Sequence, residues 1–305
     1  MKNILIIGSL NTDLVIYTDR MPQIGETIQG NDFMVNSGGK GFNQAVAVSK
    51  LGGNVKILGC VGNDANAEML RENAEKNGVC TDGFITTDTS TGVAVITVFG
   101  GDNSIILHRG ANWCMTPENI DKNLDLIKWA DYVVFQFEIP METVLYAAKI
   151  AKKLNKTVVV NPAPMCDFPE ELLSYTDIFT PNRIECETLL KKTLSTNEEL
   201  IDAVYKLQSM GISQVVITLG SDGCIYNVSD KVKIQPIVKT TVVDTTAAGD
   251  SFLGGFLVSI AKGKTVTEAV EIATYTSSIV VGRIGASKSI PTSEEVEELM
   301  KRKKE

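Results

Sequence analysis

The feature that most restricts the fold is an alternation of short, continuously apolar runs with longer stretches of helical period. Ile4–Ile7, Val55–Cys60, Tyr132–Gln136, Thr157–Val160, Ile178–Phe179 and Val215–Leu219 are the apolar runs. A strand apolar on both faces must be covered on both faces, the pattern of parallel sheets. Ala65–Lys76, Pro117–Lys128 and Met141–Leu154 have helical character and separate several of them. Repeated βα units of this length predict an α/β fold, a mostly parallel central sheet with helices on both faces. Residues 14–36 and 91–109 break that rhythm; the second stretch turns at Gly100-Gly101-Asp102-Asn103. Together they predict a small antiparallel β lid, with residues 1–305 as one domain. No repeat, low-complexity tract or linker interrupts the chain, and only Lys301–Glu305 reads as frayed.

Composition excludes several classes of function. With 305 residues, 44% hydrophobic and 22% charged, the chain reads as a globule with a sizeable core. No apolar run is long enough to cross a bilayer. Met1–Gly8 has the basic start of a signal peptide, but its apolar run is short and Asp13 interrupts the continuation, so a first buried strand is expected. A net charge of −8 argues against nucleic acid or an anionic membrane as partner. The cysteines at 60, 80, 114, 166, 186 and 224 form no CxxC pair, which argues for reduced thiols in a cytoplasmic protein rather than a zinc site. The single histidine, His108, lies in a strand-like run, which leaves little room for a Ser-His-Asp enzyme.

Chemistry concentrates in Val243-Asp244-Thr245-Thr246-Ala247-Ala248-Gly249-Asp250-Ser251-Phe252. Phe252, Leu253, Phe256, Leu257 and Ile260 recur at helical spacing, so a buried helix begins near Asp250. Ala247, Ala248 and Gly249 let a ligand approach free backbone N–H groups at the positive end of that helix. An anion hole beside a carboxylate is what phosphoryl transfer to a hydroxyl requires. Asp250 as a simple helix cap is the alternative, but a cap needs neither Ala-Ala-Gly nor the second carboxylate, Asp244. Two other nucleotide signatures fail. Only Gly8 of G-x-G-x-x-G is present, and Ala261-Lys262-Gly263-Lys264-Thr265 has Val258 where the leading glycine of a P-loop belongs.

The Asp250 string resembles the second signature of the ribokinase-like (phosphofructokinase-B type) carbohydrate kinase family. Gly8-Ser9-Leu10-Asn11-Thr12-Asp13 and Ser37-Gly38-Gly39-Lys40-Gly41-Phe42-Asn43-Gln44 resemble its sugar-binding elements, the latter as a loop opening a helix Gln44–Leu51. The resemblance runs from Gly8 to Ser289 and implies ATP-dependent phosphorylation of D-ribose at O5 to give D-ribose 5-phosphate. It assigns Asp250 as catalytic base and Ala247, Ala248 and Gly249 as anion hole. The implied sugar contacts are Asn11, Asp13, Gly39, Lys40, Asn43, Glu138 and Asp250. Those implied for ATP are Asn182, Thr218, Gly220, Ser221, Gly223, Gly249 and Thr274. Thr180-Pro181-Asn182-Arg183-Ile184-Glu185 is similar to the family's Asn-x-x-Glu motif and implies a Mg²⁺ environment at Asn182 and Glu185. A capping box reads equally well there. Arg183 stands where ribokinases commonly carry another Glu. Gly282–Ser289 resembles the loop of a monovalent-cation site, implying K⁺ near Asp244, Thr246, Val280, Arg283, Gly285 and Ser289. Asn161-Pro162-Ala163-Pro164 reads as a stiff loop without assigned chemistry.

A sugar site of amides and carboxylates with only Lys40 basic favours a neutral polyol, unless Arg109 reaches the pocket. Deoxyribose, fructose or another neutral sugar is the near alternative, and a non-catalytic sugar sensor on the same fold the distant one. The outward β surface of the lid suggests a homodimer.

Overall fold

The computed structural model describes residues 1–100 and 102–304, so Gly101 of the expected turn and the terminal Glu305 lie outside the described residues. The strands are β1 Asn3–Ile7, β2 Asn11–Tyr17, β3 Asp32–Gly38, β4 Asn54–Val61, β5 Phe84–Thr86, β6 Gly92–Phe99, β7 Asp102–His108, β8 Tyr132–Phe135, β9 Thr157–Val160, β10 Ile178–Phe179, β11 Gln214–Thr218, β12 Cys224–Val228 and β13 Lys231–Gln235. Nine of them form one sheet in the order β13-β12-β11-β10-β9-β8-β1-β4-β5. All its pairings are parallel except β11–β12 and β12–β13, which add an antiparallel hairpin at one edge. The period of two in a pleated strand splits β1 between two cores. Ile4 and Ile6 pack with Phe42, Val46 and Phe256 on one face; Leu5 and Ile7 pack with Met115, Val144 and Ala147 on the other. The expected parallel sheet covered on both faces is what forms.

The second sheet has the order β3-β2-β6-β7. It forms the expected lid, with one difference: the central β2–β6 pair is parallel, and only the outer pairs are antiparallel. Both excursions leave the main sheet in the same direction, as β2 and β6, and each returns by its own hairpin.

Three helical boundaries differ from expectation. The helix expected from Gln44 starts at Lys40, because Gly39 supplies the positive-φ junction (φ 89°) that lets the helix begin at once. Pro117–Lys128 is two helices, Pro117–Lys122 and Leu124–Trp129. Between them the Asn123 side chain donates to the Asn119 carbonyl at 2.8 Å, competing with the helical ladder. Lys301–Lys304 is helical, as the end of Ser293–Lys304, where a frayed end was expected.

Candidate active site

Two helices meet at the site: Lys40–Lys50, after β3 of the lid, and Ala248–Ala261. The second opens from Ala247, whose φ of 60° is the left-handed turn that redirects the chain into the helix. The Ala248 N–H donates to the Thr245 carbonyl at 3.2 Å, and the first ladder bond runs from Ser251 N to Ala247 O at 2.9 Å. Among the described residues Gly249 N–H has no acceptor, and a Cβ placed on Gly249 would meet nothing within 4 Å. Of the expected anion hole, Gly249 therefore offers an open donor, whereas the Ala248 donor already serves the turn.

Asp250 is buried in the first turn of this helix. Its Oδ2 accepts from Asn43 Nδ2 at 3.3 Å and its Oδ1 from Gln44 Nε2 at 2.9 Å, so adjacent residues of the other helix hold the two carboxylate oxygens. Gln44 Nε2 also reaches Asn161 Oδ1 at 3.2 Å, and Gln44 Oε1 accepts from Gln136 Nε2 at 2.6 Å. Asn161 in turn donates to the Thr180 carbonyl at 2.7 Å. An amide network of buried Gln44 and Gln136 with half-buried Asn161 thus backs the carboxylate. The sequence reading gave none of the three a role; the signs were Gln44 at the end of the Ser37–Gln44 element and Asn161 in its stiff Pro loop. Asn43 Oδ1 is buried without a partner, open to a hydroxyl donor.

Around this pair stand the other expected sugar residues. Asn11 and Asp13 lie on β2, because the loop after β1 is short and pairing begins at Asn11 with Gly38 and Gly92. Asn11 Oδ1 accepts from Asn112 Nδ2 at 2.6 Å, a partner the sequence did not reveal. Gly39 approaches so closely that a Cβ there would lie 2.9 Å from Asn11 N and Ser9 O. Glu138 accepts from the Ser9 hydroxyl and, at 3.1 Å, from the Lys40 N–H. Burial lifts the Asp13 carboxyl, aided by Glu138 and Asp250, from 3.8 to about 7. Burial alone would lower the Lys40 ammonium, but Asp250, Glu138 and Glu185 outweigh it and hold it above the ordinary lysine value. Burial, with Asp250, also raises Glu185 despite the Asn182 N–H and Lys40. Lys40 is the shared counter-ion of these carboxylates. Arg109 stacks instead on Trp113, 3.9 Å from the ring centre.

At the N-terminus of the Asp250 helix opens a cavity of ≈ 570 Å³, large enough for a nucleotide. Asn182, Thr218, Gly220, Ser221, Gly223, Gly249 and Thr274, the residues expected to meet ATP, all line it. Ile237, Val242, Phe252 and Val281 add an apolar wall. Asn182 and Glu185 do form a reciprocal cap: Asn182 Oδ1 accepts from Glu185 N and Glu185 Oε2 from Asn182 N, both at 2.8 Å. Arg183 pairs with Asp222 at 2.8 Å, so its charge is spent locally.

The loops expected to hold a monovalent cation also meet. Asp244 Oδ1 accepts from the Thr246 N–H at 2.8 Å and hydroxyl at 2.6 Å, and Oδ2 from the Gly285 N–H at 3.0 Å. The Val280 carbonyl accepts from Arg283 N at 3.0 Å and the Ser289 hydroxyl donates to Ala286 O at 2.7 Å. The Arg283 guanidinium pairs with Glu295 and also reaches the Ser289 carbonyl at 3.5 Å. The oxygen set at these loops suits a hard cation. Among the described residues no cluster of His, Cys, Asp and Glu forms a conventional metal site, and no helix is long and apolar enough to cross a membrane.

Comparison with known proteins identifies the family. The pfkB carbohydrate kinase profile matches residues 1–293. Ribokinase of Schizosaccharomyces pombe is 40% identical over 97% of this chain and 97% of its own. A deoxyribokinase of Salmonella typhi is 34% identical over 98% of each chain. The structure of Arabidopsis thaliana ribokinase complexed with ribose and ATP superposes with a TM-score of 0.91 at 33% identity, covering 98% of this chain and 99% of that one. An open backbone donor and a buried carboxylate at one helix start, beside a nucleotide-sized cavity, are the tools of a phosphotransferase, and the chain belongs to the pfkB family of carbohydrate kinases.

Proposed function

We propose that the protein transfers the γ-phosphoryl group of ATP to O5 of D-ribose, giving D-ribose 5-phosphate and ADP. The observation that carries this reading is the position of Asp250: one turn of helix carries both the carboxylate and the Gly249 N–H that opens on the nucleotide cavity. Asp250 takes the proton of the O5 hydroxyl as the O5–P bond forms and the bond from the γ-phosphorus to the β-bridging oxygen breaks. The Gly249 N–H stabilises charge on the transferring group. Asn43 and Gln44 aim the carboxylate, and Lys40 balances the carboxylates around the sugar. Lid closure over the acceptor excludes water that would otherwise consume ATP.

Asn182 and Glu185 would hold Mg²⁺ through water, where it neutralises phosphate charge. Asp244, the Thr246 hydroxyl and carbonyls of the Val280–Ser289 segment would hold K⁺. Six free thiols, with Cys166 exposed, support a cytoplasmic setting. The outer lid face exposes Ile16, Phe33, Val35, Val95 and Ile106, an apolar patch suited to a second copy of the chain. Ile106→Lys would then yield monomers by light scattering; unchanged mass would refute this lid-to-lid pairing.

The test is ADP release with Mg·ATP over ribose, 2-deoxyribose and fructose, with and without K⁺. Ribose-dependent release stimulated by K⁺ is expected. Preference for another sugar overturns the substrate, and no sugar-dependent release turns the reading towards a sensor. Asp250→Asn should lose roughly 10²–10⁴-fold in kcat; a nearly wild-type kcat refutes the base.

A further inference from the structure

A second cavity, of ≈ 220 Å³, lies beneath the lid on the far side of Asp13, and neither Asp250 nor Asn43 lines it. The lid register sets its wall in rows. Asn36 and Asp13 face each other across β2–β3, with Ala94 beside Asp13 on β6. The next inward row is Met34, Val15 and Ile96, so the wall turns from polar to apolar one row beyond Asn36. Asn36 is 4% exposed and its Oδ1 has no partner. Across the cavity Asp244 already accepts from Thr246 and Gly285, whereas the Asn36 oxygen is buried and unpaired. A desolvated, unpaired amide oxygen on a residue that lines a cavity is matched by a ligand that brings a donor there.

We infer that Asn36 is a specificity-determining residue, its Oδ1 accepting a hydroxyl of the sugar at the end remote from the phosphorylated one. The inference rests on the sugar-kinase reading. A polyol fits as far as the Asn36–Asp13 row, and the apolar row beyond gives a further hydroxyl nothing to bond. An acceptor lacking the hydroxyl that Asn36 reads leaves its oxygen buried and unpaired, which is how a hydrogen-bonding site rejects a deoxy analogue.

The experiment measures kcat and KM for ribose, 2-deoxyribose, 3-deoxyribose and 1,4-anhydroribitol in wild type, Asn36→Leu, Asn36→Thr and Asp250→Asn. Wild type should penalise one of the three analogues most. In Asn36→Leu, KM for ribose should rise roughly tenfold, the size of one neutral hydrogen bond, with kcat held. The penalty for that one analogue should vanish, while the others keep theirs. Asn36→Thr, which keeps an acceptor oxygen, should restore part of the discrimination and also serves if the leucine variant does not fold. Unchanged penalties for all analogues, as expected if only water meets Asn36, overturn the inference. If wild type phosphorylates none of the four, or Asp250→Asn stays active, the sugar-kinase reading or its base fails instead.

Discussion

Asp13 should weaken the fold that uses it. The residue is 6% exposed and its carboxyl is raised from 3.8 to about 7, first by burial and then by Glu138 and Asp250. A group that binds its proton more tightly when folded stabilises the fold at low pH. That contribution is lost as pH climbs from about 4 through about 7. The rise is about three pH units, at ~1.4 kcal/mol each, so the ionised side chain costs at most about 4 kcal/mol above pH 7. Asp13→Asn keeps the shape and removes the charge. Urea unfolding should therefore show the variant more stable than wild type by up to that amount at pH 8, with the gap closing as pH falls towards 4. Sugar affinity should move the opposite way: the wild-type KM rises as pH drops below about 7 and Asp13 ceases to be a full acceptor, while the asparagine variant binds weakly throughout. A variant less stable at pH 8, or a stability difference that does not change with pH, refutes the reasoning.

Gln44→Met removes the 2.9 Å donor to Asp250 Oδ1 but keeps the chain length. A hydrogen bond to a charged group is worth about 1.5–3 kcal/mol, so kcat should fall about 10–10²-fold with sugar KM little changed; a loss confined to KM would contradict an aiming role. In Gly38→Ala the new Cβ would lie 2.1 Å from Asp13 Oδ2, displacing the carboxylate. Steady-state kinetics should show sugar KM raised at least roughly tenfold and ATP KM unchanged, since one displaced charged acceptor costs that much; a wild-type sugar KM would mean Asp13 does not need its present rotamer.

The inner parallel strands were legible because each is a mostly apolar local run covered on both faces, whereas the parallel edge strand β5, three residues ending in exposed Thr86, was not read. The β12–β13 hairpin was not legible, since β13 is short, half exposed and lysine-bearing, as an edge strand can be. The split at Asn123 was hidden for a different reason. Helical period continues across it, and only a side chain bonding back to Asn119 shows the break.

In the site the same division separates what short motifs announce from what long-range pairing creates. Asp250, Gly249 and the Asn182–Glu185 cap are set by one turn of helix, so their spacing carries their geometry. Gln44 meets Asp250 across 206 positions and Gln136 meets Gln44 across 92, contacts that exist only once both helices are docked on the sheet. Asn36 depends on register: a slip of one residue in β3 would turn it to the solvent face and bring Val35 inward. The chemistry of transfer is thus written locally, whereas the choice of acceptor is written in how the lid strands align. A change of register or of an inward lid residue can therefore alter the acceptor without touching the signature around Asp250.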